Sequence, residues 1–156
     1  MPFAPPSDEE ITEIINAHLH LEGALLPMLH ALQHEFGYIP ATAHALLADA
    51  LNISKAEVHG VVSFYHDFRN KAAGKHVLKI CRAEACQSMG SEVLAESTLK
   101  KLGLDWHETS SNNHITIEPV YCLGLCATAP AVMLDEKLYA KVDESKMMDI
   151  LGEINA

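Results

Sequence analysis

The side chains in this sequence best suited to hold a metal are its four cysteines, and they come as two pairs. Cys81-Arg82-Ala83-Glu84-Ala85-Cys86 is a C-x4-C segment and Cys122-Leu123-Gly124-Leu125-Cys126 a C-x3-C segment, with residues 87–121 between them. Thiolate donors select zinc, copper(I) or iron-sulfur clusters. Structural zinc closes a tetrahedral four-ligand site, but zinc ribbons and knuckles favour C-x2-C pairs on tight turns, and both pairs here are wider. A disulfide framework needs an oxidising compartment. The stretch 1–10 has neither the basic n-region nor the apolar h-region of a secretory signal, so reduced thiols and a cytoplasmic location are expected. Thiol exchange in a thioredoxin-like chain would use C-x-x-C, which is absent. A Rieske centre would place histidine two residues after a cysteine, where Ala83, Ser88, Gly124 and Thr128 stand. The residues therefore point to an all-cysteine cluster, with a zinc-stabilised adaptor domain as the alternative from another class.

Longer strings around the pairs carry a resemblance. Cys81 to Gly90, continuing after Cys86 as Gln87-Ser88-Met89-Gly90, and Tyr121 to Ala131, continuing after Cys126 as Ala127-Thr128-Ala129-Pro130, resemble the thioredoxin-like 2Fe-2S subunit of NADH dehydrogenases. That family includes the 24 kDa-type subunit of respiratory complex I and the matching subunits of NAD-linked hydrogenases and formate dehydrogenases. Upstream, Leu29 to Pro40 and Val58 to Tyr65 are similar to the family's helical N-terminal region. The Arg-Ala-Glu-Ala filling and the Gln-Ser-Met-Gly sequel look most like the gamma subunit of NAD-dependent formate dehydrogenase. The resemblance implies an α/β chain with a four-helix module at residues 1–74 that serves assembly and a thioredoxin-like, mixed-sheet ferredoxin domain at residues 75–156. It also implies one 2Fe-2S cluster ligated by Cys81, Cys86, Cys122 and Cys126, with FMN and NAD held only by a flavin- and NAD-binding partner subunit of a larger oxidoreductase complex. Short spans favour local chelation, so each pair is expected to take its own iron.

Composition is ordinary for a globular protein and excludes other classes. The 156 residues suit one domain or one with an appendage, and a chain of this size buries roughly 68–70% of its unfolded surface. No apolar run approaches the roughly 18 residues that span a bilayer, so a soluble chain without direct membrane insertion is expected. Eleven basic against 21 acidic residues give a formal charge of -10, which repels phosphate backbones and speaks against nucleic acid as a partner. The 10 histidines are scattered, and most are expected on solvated or edge-of-core positions.

The elements that must position the cysteines follow from periodicity and caps. Ser7 with Glu10 is a capping-box pattern followed by Ile11, Ile14, Ile15 and Leu19, which predicts a helix to about His20. Leu25 to Phe36 predicts a second helix stopped by Gly37, with Pro40 beyond it. Ala41 to Leu51 predicts a third, and Ser54 with Glu57 caps a fourth whose stripe is Val58, Val61, Val62 and Tyr65. The connector Arg69 to Lys75 marks the boundary. Beyond it the pattern predicts a strand ending at Cys81, a helix from about Ser88 to Leu102, and a hairpin of Trp106–Thr109 with His114–Glu118. A second hairpin turns about Asp135-Glu136, between Ala131–Leu134 and Leu138–Val142, and a last helix is capped by Asp143. Pro119 lacks a ladder donor, which puts its strand at an edge or at its point of departure from the sheet.

Each cysteine pair thus begins where a strand stops, leaving loop N–H groups free to point at sulfur, an interaction that raises reduction potential. Gly124 is expected at positive φ so that its loop curls around a metal. Arg82 reads equally as a charge offsetting the cluster and as a solvated side chain. Joining the pairs costs roughly 3 kcal/mol of loop closure. Thiolate-metal binding exceeds this, since one structural zinc contributes about 10–16 kcal/mol in peptides. No G-x-G-x-x-G or Walker A loop occurs, so the flavin and nucleotide are expected on another polypeptide.

Overall fold

The computed structural model describes residues 5–155, so the first four residues of the stretch read above for a secretory signal, and Ala156, lie outside it. It divides into two compact units, residues 1–72 and 73–156.

The first unit is helical. Ser7 caps α1 (Asp8–His18) by accepting the Glu10 backbone N–H at 3.3 Å while the Glu10 carboxylate accepts the Ser7 N–H at 2.8 Å. The hydrogen bonds from Ser7 hold the Glu10 carboxyl below its ordinary pKa. The same reciprocal pair, Ser54 and Glu57, opens α4 (Lys55–Phe64). Between them lie α2 (Leu25–Phe36), closed by Gly37 at φ 78°, and α3 (Ala43–Leu51), closed by Asn52 in the same left-handed region. Both α1 and α3 are two residues shorter than their patterns suggested, because Leu19 is the C-cap of α1 and α3 begins only at Ala43. The stripes converge as expected: Ile11, Ile15, Met28, Leu29, Leu47 and Val58 are fully or almost fully buried together. One buried polar side chain fastens the segment after α4. Gln33 donates from Nε2 to the Asp67 carbonyl at 2.6 Å and accepts the Arg69 N–H at 2.7 Å, so both ends of its amide are satisfied.

The second unit is a four-stranded mixed sheet in the order β2-β1-β3-β4. Strand β1 (His76–Cys81) runs parallel to β2 (Ile115–Val120), with α5 (Glu84–Ser88) and α6 (Ser91–Leu102) in the crossover between them. Strand β3 (Val132–Leu134) is antiparallel to both β1 and β4 (Lys137–Tyr139), and α7 (Glu144–Glu153) closes the unit. Its N-cap is Asp143, which accepts the Lys146 N–H at 2.8 Å. Leu78, Ile80, Ile117, Val132, Met147, Ile150 and Leu151 form the core.

Two expectations for this unit are corrected. The crossover contains a separate helical turn, α5, inside the first cysteine segment, and the chain breaks at Gly90, φ 91°, before α6 begins. The expected hairpin pairs, but irregularly: the His107 N–H donates to the Ile117 carbonyl at 2.8 Å, the Ile117 N–H to the Glu108 carbonyl at 3.2 Å and the Ser110 N–H to the Ile115 carbonyl at 2.9 Å, around a Thr109–Thr116 bridge. His107 at φ 65° bulges the first arm so that it forms no regular strand, and β2 takes its regular ladder from β1 on the other side. Pro119 sits on β2 opposite Ile80, on the outermost strand, as its missing donor requires.

Candidate metal centre

Each cysteine is placed by a different local device. Cys81 is the last residue of β1, where its N–H donates to the Ala131 carbonyl at 3.1 Å. The next N–H, that of Arg82, donates to the Val120 carbonyl at 2.7 Å, so the strand end is pinned on both sides. Cys86 is held on α5. The Gln87 backbone N–H closes that turn on the Ala83 carbonyl, and the Gln87 side chain donates to the Arg82 carbonyl, both at 2.9 Å. Cys81 and Cys86 are 2% and 1% exposed, packed with Ala129 and Ala131 and bordered by Ala83, Val120, Leu123 and Leu125.

The second pair sits in irregular, exposed backbone. Cys122 has φ 132°, a region that non-glycine residues rarely occupy, and Gly124 has φ 77°. Together these conformations fold the loop back on itself, so that the Gly124 N–H reaches Cys122 Sγ at 3.3 Å. Cys126 opens a 3-10 turn through Thr128, and its Sγ lies 3.5 Å from that of Cys122. Two thiolates on one tetrahedral metal with bonds of about 2.3 Å lie roughly 3.7 Å apart, so this pair already has the span of a chelate. Strain at Cys122 of this kind collects at functional sites.

The electrostatics tie the two pairs together. Burial pushes the Cys86 thiol up; a hydrogen bond from the Ala131 backbone opposes this, while contact with Cys81 and charge on Cys81 and Cys126 add to it. The Gly124 N–H, followed by the hydrogen bond from Cys126, holds Cys122 below the ordinary thiol range. Cys126 is pushed up first by that hydrogen bond to Cys122 and then by the charge on Cys122, with Cys81 contributing as well. Sulfurs from both segments therefore sense one another. Among the described residues no group of three or more His, Cys, Asp or Glu side chains gathers as the ligand set of one ion. The donors come as two pairs.

Arg82 is resolved by geometry. Its guanidinium meets the Glu92 carboxylate at 3.3 Å and lies over the Trp106 ring at 5.3 Å, so it is neither free in solvent nor an unpaired charge. The contributions of Ala131, as backbone donor to Cys86, and Gln87, as brace of the first segment, were not foreseen. An alanine N–H has no sequence signature, and Gln87 falls outside both cysteine brackets. The histidines are less scattered than their positions suggested: the rings of His44 and His59 lie 5.8 Å apart in the helical unit, and those of His76 and His114 lie 5.1 Å apart in the sheet unit.

The donor chemistry fits a 2Fe-2S cluster: four thiols in two pairs, one of them at chelate span, small apolar walls from alanine, and backbone N–H groups directed at sulfur. Comparison with known proteins agrees. The family model described as "Thioredoxin-like [2Fe-2S] ferredoxin" matches residues 11–155. The chain is 32% identical over 148 residues to the HndA subunit of the NADP-reducing hydrogenase of Solidesulfovibrio fructosivorans, covering 95% of this chain and 86% of that one. It is 32% identical over 143 residues to a subunit of the NADH-quinone oxidoreductase of Aquifex aeolicus strain VF5, covering 92% and 89%. In fold it is similar to a chain in the crystal structure of an NAD+-reducing [NiFe]-hydrogenase in the H2-reduced state. There the TM-score is 0.68 at 19% identity, over 81% of this chain and 22% of that one.

Proposed function

The chain belongs to the thioredoxin-like [2Fe-2S] ferredoxin family, and from that premise we propose that it is a one-electron relay whose single cluster is held by Cys81, Cys86, Cys122 and Cys126. The observation that supports the ligand assignment is the packing of Leu123 and Leu125, from the second cysteine segment, against the cluster that holds Cys81 and Cys86, with Cys122 and Cys126 already at chelate span. When bound, the cluster supplies a centre cycling between two states one electron apart. The chain's own residues do the rest. Cys81 and Cys86 hold their side of the site in a dry alanine-walled recess, and Cys122 and Cys126 hold the other side near solvent. The Gly124 and Ala131 N–H groups stabilise negative charge on sulfur, which favours the reduced state.

A hydride from NADH carries two electrons, so a flavin must stand between it and a one-electron centre. The relatives are named as subunits of an NADP-reducing hydrogenase and of NADH-quinone oxidoreductase. The present chain accordingly serves as a cytoplasmic subunit that exchanges electrons with the flavin of an NAD-binding partner chain. Residues 1–74 serve assembly, since they carry buried apolar stripes and no cysteine, and residues 75–156 carry the cluster. The preferred parent complex is an NAD-dependent formate dehydrogenase, supported by the Arg-Ala-Glu-Ala filling and the Gln-Ser-Met-Gly sequel. Hydrogenase and quinone-reducing complexes are the second reading, supported by the named relatives.

Anaerobic reconstitution tests the first step: a red-brown chain with two irons and two sulfides is expected, and a colourless chain with stoichiometric zinc would sink the proposal. Co-purification of the native complex tests the second. Coupling of formate oxidation to NAD reduction is expected, and activity with hydrogen or quinone instead moves the chain to the corresponding branch.

A further inference from the structure

The two cysteine pairs differ in what surrounds them, and that difference has a chemical consequence when no metal is present. Cys122 and Cys126 are exposed, lie in backbone outside helix and strand up to the 3-10 turn, and have sulfurs 3.5 Å apart. A disulfide needs about 2.05 Å, a closure of about 1.5 Å that side-chain rotation and a small loop adjustment can supply. Cys81 and Cys86 are also neighbours, but both are almost fully buried, on a strand end and a helical turn pinned by Ala131, Val120 and Gln87. An external oxidant reaches the first couple and not the second. Resting on the cluster assignment above, we propose that in the metal-free chain Cys122 and Cys126 close a reversible disulfide that shuts the cluster site, while Cys81 and Cys86 remain thiols.

The oxidant is a low-molecular-weight disulfide of the glutathione class. Cys122 as thiolate attacks one sulfur of that disulfide, forming a mixed disulfide and expelling one small thiolate. Cys126, after losing its proton, attacks the Cys122 sulfur and expels the second small thiolate. The chain loses two electrons and two protons, and the external disulfide becomes two thiols. Reduction by a dithiol reverses both steps. Cys122, exposed in the loop ahead of the 3-10 turn, makes the first attack, and Cys126 stands 3.5 Å away to resolve the mixed disulfide. Cytosolic disulfides are usually transient and redox-sensing, and this one would gate cluster insertion by the state of the thiol pool. Half of the ligand set is then withheld until the cell is reducing enough to keep a cluster intact.

The test uses the full-length metal-free chain, titrated with oxidised glutathione, quenched in acid, alkylated in denaturant and mapped by mass spectrometry. The expected product has one internal bridge within the peptide carrying Cys122 and Cys126, with Cys81 and Cys86 alkylated. The oxidised chain should take up no cluster from iron and sulfide until a dithiol restores it. In Cys126→Ser the expected product is a stable glutathione adduct on Cys122. A bridge involving Cys81 or Cys86, four alkylated cysteines at saturating disulfide, or uptake by the oxidised chain at the reduced chain's rate each overturns the proposal. The reduced chain in the same experiment separately decides the cluster assignment: if it acquires no 2Fe-2S absorption, that reading fails whatever the mapping shows.

Discussion

Cys81 and Cys86 are delivered by regular structure, whereas Cys122 and Cys126 are delivered by backbone that no regular element would adopt. The first pair ends a strand and rides a helical turn, and each of its supporting hydrogen bonds comes from a neighbouring strand end or from its own turn. The second pair depends on φ 132° at Cys122 and φ 77° at Gly124, and it faces solvent. The difference teaches that one side of the site is preformed by folding while the other is adjustable. Loading should then proceed onto a fixed half-site that the adjustable half completes.

Substitution at the four cysteines proposed as ligands is the sharpest way to break this contrast. Cys81→Ser and Cys86→Ser are expected to abolish cluster content, and Cys86→Ser also buries a hydroxyl at a cost of about 1–3 kcal/mol if it goes unpaired. Cys122→Ser and Cys126→Ser, in the adjustable loop, should retain a fraction of the cluster with an altered reduced EPR spectrum. Equal retention at all four positions, by iron and sulfide analysis, would erase the distinction. Next in size is the wall of the preformed half. Ala131 is 1% exposed against Cys86, so Ala131→Leu overpacks the recess, with an expected loss of about 1–3 kcal/mol by denaturant titration and a lower cluster yield.

Charge near the first pair gives a smaller effect. Glu92 neutralises Arg82, so Glu92→Gln leaves an uncompensated cation on the residue after Cys81 and should raise the cluster's midpoint potential. Arg82→Gln should lower it. Both shifts should shrink in high salt because the pair is partly exposed, and opposite signs in spectroelectrochemistry would refute the arrangement. The smallest effect serves as a control in the helical unit, which carries no cysteine. His44 in the helical unit is held below its ordinary pKa of 6.5, first by burial and then by His59. The unfolded chain therefore binds the proton more readily, and the stability of this unit should fall as pH drops through about 6.5, levelling off once the folded state also protonates. His44→Gln should flatten that slope in thermal melts while leaving the cluster spectrum unchanged.

Much of this was legible because the signals were local. Ser7 with Glu10 and Ser54 with Glu57 announce their helices through side chains that bond three residues away, and Gly37 and Asp143 announce an end and a start in the same manner. The positive φ of Gly124 was readable because a glycine centred between two closely spaced cysteines marks a loop that must fold back on itself. Non-local choices were not readable. Residues 106–109 and 114–118 read as a hairpin and do pair, but neither the bulge at His107 nor the parallel neighbour β1 on the other side of β2 has a local signal. The turn α5 has no apolar stripe and no side-chain cap, so its five residues gave no helical signal. Arg82 was undecidable because its partners, Glu92 and Trp106, come from distant points in the chain.

Strand β2 lies at the outside of its sheet, and such a border usually invites a foreign strand to add itself. Here the half around Thr116 is occupied by the Thr109 bridge, and Pro119 further along has no N–H to offer. The opposite border, β4, is only three residues long and carries Lys137. Neither side presents an uninterrupted ladder, which guards the chain against strand addition at both borders. Pro119→Val would restore a donor to the first border, and the consequence would be read as self-association and turbidity on concentration, long before any electron was transferred.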